Sequence, residues 1–138
     1  MPDRGNHLRL LLIALLILLC SGPAYAEWVS IDSANSRGGF TVYVDPDTIR
    51  HKGEIVKMWH LLDYKTMQPL LRGSFMSEKS QAQFDCAEER VRLLAITNFS
   101  GSMGSGNAIY TDLDEGKWGP VAPRSIAEAL WEYACSKK

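Results

Sequence analysis

The chain has 138 residues, with 15 Lys and Arg against 16 Asp and Glu, a formal net charge of −1 and 46% hydrophobic residues. A chain of this size builds one modest core rather than two. Its near-neutral charge, with no basic stripe, gives no electrostatic reason to expect a nucleic-acid partner.

At the N-terminus Arg4, His7 and Arg9 precede an apolar run from Leu10 to Cys20, closed by Ser21-Gly22-Pro23 and then Ala24-Tyr25-Ala26. A charged n-region, a short apolar stretch and an A-x-A site make a secretory signal peptide, so cleavage is predicted after Ala26, leaving 27–138 as a single domain. A membrane span needs about 20 apolar residues, and this run is too short. A lipoprotein signal would place a small residue ahead of its cysteine. Leu18-Leu19 precede Cys20, so acyl anchoring there is not expected, and the exported chain is expected to be periplasmic, secreted or at the cell surface. Loss of Asp3, Arg4 and Arg9 moves the net charge to −2.

Cys86 and Cys135 then remain, in an oxidising compartment where an even count reads as one structural disulfide. A redox-active or intermolecular pairing is the alternative, but neither cysteine has CxxC spacing behind it.

The period along the mature chain is mainly two. Phe40 to Val44 is β-branched and aromatic, and Asp45-Pro46-Asp47 is read as the turn that stops it. Thr48 to His51 resumes, Lys52-Gly53 turns the chain, and Glu54 to Tyr64 forms a long strand. In it Val56, Met58, His60 and Leu62 point one way, and Ile55, Lys57, Trp59 and Leu61 the other. Arg72 to Phe84 is a second long strand with a polar edge of Ser77, Lys79, Gln81 and Gln83. Glu89 to Phe99 is a third, with Val91, Leu93, Ala95 and Thr97 placed on one side. The glycine-rich segment 100–106 leads to a short strand from Asn107 to Thr111 as a hairpin. Ser125 and Glu128 form a capping box, and Ile126, Leu130 and Tyr133 recur at helical spacing, which predicts a helix over 126–136. The fold class is α+β: an antiparallel meander of about five to six strands with one C-terminal helix packed on it and tied to it by the disulfide.

Motifs for chemistry are weak. No Lys-Ser or Lys-Thr follows the glycines at 100–106, so a phosphate cradle is not expected there. Asp112, Asp114 and Glu115 resemble calcium ligands, but Gly116 falls where an EF-hand needs an oxygen donor. His51 and His60 have no ligand-spaced partner, and no G-x-S-x-G elbow occurs. Neither catalysis, a metal nor a cofactor is expected. A small hydrolase using His60 with a nearby Asp is the enzymatic rival. Trp59 and Trp131 are assigned to the core, with Trp28 and Trp118 left open.

Several short strings taken together are similar to a known family. They are Trp28, Tyr43-Val44-Asp45-Pro46, Val56-Lys57-Met58-Trp59, Leu62-Asp63-Tyr64, Ser77-Glu78-Lys79, Phe84-Asp85-Cys86, Ser100-Gly101-Ser102-Met103-Gly104, Trp118-Gly119-Pro120-Val121 and the terminal helix with Cys135. The chain resembles the surface-adhesin protein E family of Gram-negative bacteria. That resemblance implies an antiparallel sheet with a C-terminal helix, an intramolecular disulfide and, in the family's namesake, a surface lipoprotein that binds host extracellular-matrix proteins. The missing lipobox departs from it and favours a soluble exported protein. The expected function is therefore non-enzymatic protein binding through a sheet face or edge strand, with Trp118, Arg90, Arg92 and Lys79 as candidate contacts. A periplasmic accessory role without adhesion is the alternative.

Overall fold

The computed structural model describes residues 4–20 and 27–137. The predicted cleavage site at 24–26 lies outside them. Helix α1 covers Arg4–Cys20, and strands β1 to β6 cover Val29–Ala34, Phe40–Lys52, Ile55–Pro69, Ser74–Asp85, Arg90–Phe99 and Ala108–Asp112. A two-residue strand β7, Gly119–Pro120, and helix α2, Ile126–Ser136, complete the chain. With 17 residues α1 is short for a span, and no helix among the described residues is long and apolar enough to cross a membrane.

The six strands pair in sequence order, all antiparallel, and β7 pairs with the start of β5. Helix α2 covers one face of this meander. On that inner face Leu130 and Ala134 pack into a core with Phe40, Val42, Val44, Val56, Met58, Ala82 and Phe84. Among the described residues no helix packs on the other face. The split within β3 follows the period-two reading, with Val56, Met58 and His60 buried inside and Lys57 and Trp59 half-exposed outside.

Ser125 caps α2 as the box requires, its hydroxyl accepting from the Glu128 amide at 3.2 Å. The reciprocal carboxylate reaches one residue further back, accepting from the Arg124 amide at 3.0 Å. The bridge between Cys86 and Cys135 forms, with their Cα atoms 5.7 Å apart. It ties the last turn of α2 to the end of β4, and the Trp131 indole adds a hydrogen bond to the Asp85 carbonyl at 2.9 Å.

Three local expectations need correction, and one strand had no expectation at all. Asp45-Pro46-Asp47 does not end the strand: β2 runs through it as an irregularity in its pairing with β3 between Asp45 and Arg50. The missing proline N–H is tolerated there because Thr48 substitutes for the ladder, donating to the Asp45 carbonyl at 2.7 Å and accepting from the Trp59 amide at 3.0 Å. In β5 an extra residue at Leu94 breaks the alternation, since Gln81 pairs with Ala95 but Ala82 with Leu93. Val91 and Leu93 therefore belong to the inner face and Ala95 and Thr97 to the outer one. Trp59 lies on the helix-free face rather than in the core. Strand β1, too polar in Val29–Ala34 to stand out by pattern, pairs with β2 as an edge.

Candidate functional site

The sheet register decides where the candidate contacts lie. Lys79 on β4 stands opposite Leu61 and Thr97, Arg92 stands opposite Gln83, and Arg90 opposite Asp85. All share the helix-free face because the bulge at Leu94 restores this parity for Arg90 and Arg92; an unbroken β5 would turn both toward the core. The chain between β6 and β7 brings Trp118 across them. Its ring centroid lies 4.6 Å from the Arg92 guanidinium and 5.2 Å from that of Arg90.

Lys79 joins a second group of the same kind. Its ammonium is 5.0 Å from the Trp59 ring and 5.8 Å from that of Trp28. Lys79 and Gln83 are four residues apart on β4, so the two cation–tryptophan groups are separated by roughly 13 Å along the strand. The structure thus places all four predicted contacts on one face, as two groups rather than one cluster.

Polar partners fix the arginines. Arg90 donates to Asp85 at 2.7 Å, and that contact, with the turn amides of Ala87 and Glu88, holds the Asp85 carboxyl below its usual range. Arg92 donates to Gln83 at 2.7 Å and pairs with Glu115 at 3.1 Å. The Arg92 side chain keeps 23% of its exposure and that of Arg90 45%. Each cation–π contact contributes about 0.5–1 kcal/mol at such exposure, so their main effect is to hold the side chains ready on the surface.

The glycine-rich segment closes one end of this face. Ser100 donates its amide to the Asn107 carbonyl, as a hairpin requires, and a 3-10 turn over Ser102–Gly104 folds back onto the sheet. There Ser77 donates to the Gly101 carbonyl at 2.6 Å and accepts from the Gly104 amide at 2.8 Å, while Asp63 accepts from the Met103 amide at 2.8 Å. These bonds hold Met103 at a left-handed φ of 54° and seal Leu61 from solvent. The loop is structural, and its backbone amides are directed at the protein itself. Asp112 and Asp114 form an Asx turn and Glu115 is engaged by Arg92; no metal-binding group of three or more His, Cys, Asp or Glu residues occurs among the described residues.

His60, the residue proposed for hydrolysis, is 6% exposed on the inner face, and burial lowers its pKa to about 4. Its Nδ1 has no hydrogen-bond partner, nor does the hydroxyl of Ser80, its cross-strand neighbour. A hydrolytic base needs a carboxylate to orient it, and among the described residues none is hydrogen-bonded to this buried imidazole.

The sequence reading passed over one polar pair on the same face. Glu78 accepts from Asn98 at 3.1 Å, and burial raises its pKa. The signal was present, since Glu78 shares the parity of Ser80, Ala82 and Phe84. Nearby, a pocket of ≈ 580 Å³ opens among Arg37, Thr66, Met67, Gln68, Pro69 and Phe75.

No curated protein matches the chain in sequence. Solved structures do match in fold. The selenomethionine form of Haemophilus influenzae protein E aligns with a TM-score of 0.60 at 12% identity, covering 83% of this chain and 90% of that one. Protein E from non-typeable Haemophilus influenzae aligns with a TM-score of 0.59 at 11% identity, over 83% of this chain and 78% of that one. The surface-adhesin protein E family model matches residues 28–136, which spans every strand, the bridge and α2. The chain therefore belongs to the surface-adhesin protein E family.

Proposed function

We propose that this protein is an exported, non-enzymatic binding domain that engages a protein partner through the helix-free face of its sheet. The signal peptide of residues 1–26 is removed after Ala26, and the domain acts without an acyl anchor. The observation that carries this reading is the pair of cation–tryptophan groups, Lys79 with Trp28 and Trp59, and Arg90 and Arg92 with Trp118, on a face that α2 leaves free. Tryptophan and arginine dominate the energetics of protein interfaces because they bury large area and still offer hydrogen bonds. Here their rotamers are already restrained, which lowers the ordering cost of association. The family supports a surface adhesin as the broad class, and the partners in this reading are host matrix or envelope proteins.

A second reading, a periplasmic accessory protein with no adhesive role, is favoured by Leu18-Leu19 ahead of Cys20, which leave the chain without a lipobox. Cell fractionation with binding to immobilised matrix proteins separates the two. Exposure at the surface, with matrix binding that Trp118→Ala and Arg92→Glu weaken at least tenfold, supports adhesion. Confinement to the periplasm refutes it. Intact mass spectrometry reads the processing, and an acylated N-terminus at Cys20 would overturn cleavage after Ala26.

A further inference from the structure

The helix-free face carries a row of positive charge that the fold does not neutralise. In β2 the irregularity after Asp45 shifts the register: Asp45 pairs with Trp59 but Arg50 with Lys57, so a step of five residues along β2 matches a step of two along β3. Continued in the Asp45 register, β2 would set Asp47 opposite Lys57, a carboxylate against an ammonium. The shift sets Arg50 there instead, and like charges directly opposite each other are destabilising. Ile49 packs against the core, so Arg50 beside it points outward with Lys57; Arg50 is exposed and Lys57 half-exposed.

Nothing nearby relieves this pair. Arg50 donates to the Asp47 and Ile49 carbonyls at 2.9 and 2.8 Å, which hold its guanidinium without cancelling its charge. Lys57 has no hydrogen bond or ion pair among the described residues. The cross-strand row continues from Lys57 to Gln83 and from Gln83 to Arg92, so three cations stand in one line over four strands, roughly 14 Å long. Lys52 and Arg90 lie in the next row, with Ile55 and Asp85 between them. The neighbouring carboxylates are engaged: Asp85 by Arg90, Glu115 by Arg92 and Asp63 by the Met103 amide.

We propose that this row anchors an acidic segment of the protein partner, with one carboxylate between Arg50 and Lys57 and a second at Arg92. The proposal rests on the reading of this face as protein-binding and gives the partner its chemistry. Glu115, its side chain 59% exposed, makes a surface ion pair with Arg92 weak enough to exchange for the second carboxylate. Two copies of this chain meeting through the face would set cation against cation. A polyanion such as a sulfated glycan or a single-stranded nucleic acid fits less well. It carries charge at every repeat, whereas this row is interrupted by Gln83, bordered by Asp85 and Glu115 and flanked by the Trp59 and Trp118 rings.

The test titrates fluorescein-labelled peptides with the purified exported protein and reads anisotropy at low ionic strength. The probes are Asp-Phe-Ser-Phe-Asp, whose carboxylates lie roughly 13 Å apart in an extended chain, and the forms with Asn or Lys in place of both Asp residues. The acidic peptide binds at least tenfold more tightly than either, and added salt shrinks the preference. Lys57→Glu and Arg50→Glu each remove it, whereas Arg72→Glu, the same charge change at the β3–β4 turn, leaves it intact. Lys57→Glu also raises the urea midpoint, because it makes a repulsive cross-strand pair attractive; a lowered midpoint overturns the repulsion on which the proposal stands. Equal affinity for the three peptides, no binding, or a preference untouched by both substitutions overturns it. So does a heparin tetrasaccharide or an oligothymidylate that binds more tightly than the acidic peptide and loses affinity in the same variants. Matrix-protein binding that Trp118→Ala weakens and Lys57→Glu does not would leave the helix-free face as the binding surface and overturn only its acidic specificity.

Discussion

Acid should cost this fold a defined amount of stability through His60. The imidazole is buried between Val44 and Ser80 in the cross-strand row, with its Nδ1 unpaired, and its pKa falls from 6.5 to about 4 because the charged form loses hydration without gaining a partner. Between these two values the unfolded chain holds a proton that the folded chain refuses. Stability is therefore full above pH 6.5 and declines as pH falls toward 4. The gap between 6.5 and about 4 corresponds to about 3 kcal/mol, a large share of what a small domain has. Glu78 works in the opposite sense: its raised pKa lets the folded chain keep a proton that the unfolded chain has released, so its contribution falls with rising pH. Urea unfolding of the wild type and His60→Leu at intervals from pH 4 to pH 8 separates the two, because Glu78 is common to both proteins. The expected result is a wild-type stability that drops about 3 kcal/mol more than that of the variant between pH 7 and pH 4. Parallel profiles would refute the burial argument.

Two further perturbations probe the frame. Replacing Cys86 and Cys135 by serine opens a bridge between residues 49 apart, which in the chain-entropy model costs about 4 kcal/mol; urea unfolding should show a loss of about 2–5 kcal/mol, and an unchanged midpoint would contradict the staple. Ser77→Ala strips the buried hydroxyl that bonds both Gly101 and Gly104, and should cost about 1–3 kcal/mol while raising hydrogen exchange at the Met103 and Gly104 amides; unaltered exchange there would show that the loop is held by other contacts.

Much of this architecture is visible in the residues because local signals and packing agree. β3 alternates cleanly over Ile55 to His60, α2 carries its cap at Ser125, and Cys86 and Cys135 find each other. What sequence could not show lies where long-range pairing overrides local pattern. The bulge at Leu94 changes which β5 residues face the core, and in Val91 to Thr97 its marks are Leu94 and Ile96, apolar residues where unbroken alternation expects polar ones. The same bulge brings Arg90 and Arg92 onto one face with Lys79, so the candidate surface depends on a register choice made by β4. Pro46 reads locally as a stop, yet Thr48 lets β2 continue past it. His60 is placed correctly by the period of two, in the inward row of β3 with Val56 and Met58, whereas Glu78 goes unread although its parity with Ser80, Ala82 and Phe84 is there to see.

The helix-free face as the partner-binding surface is most directly tested by an NMR footprint of the exported protein with an immobilisation-selected matrix or envelope protein, read at the four tryptophan indoles. The expected result is perturbation of Trp28, Trp59 and Trp118 while Trp131, bonded to the Asp85 carbonyl under α2, stays unmoved. Shifts confined to Trp131 and the α2 side, with the three outer indoles unchanged, would contradict it.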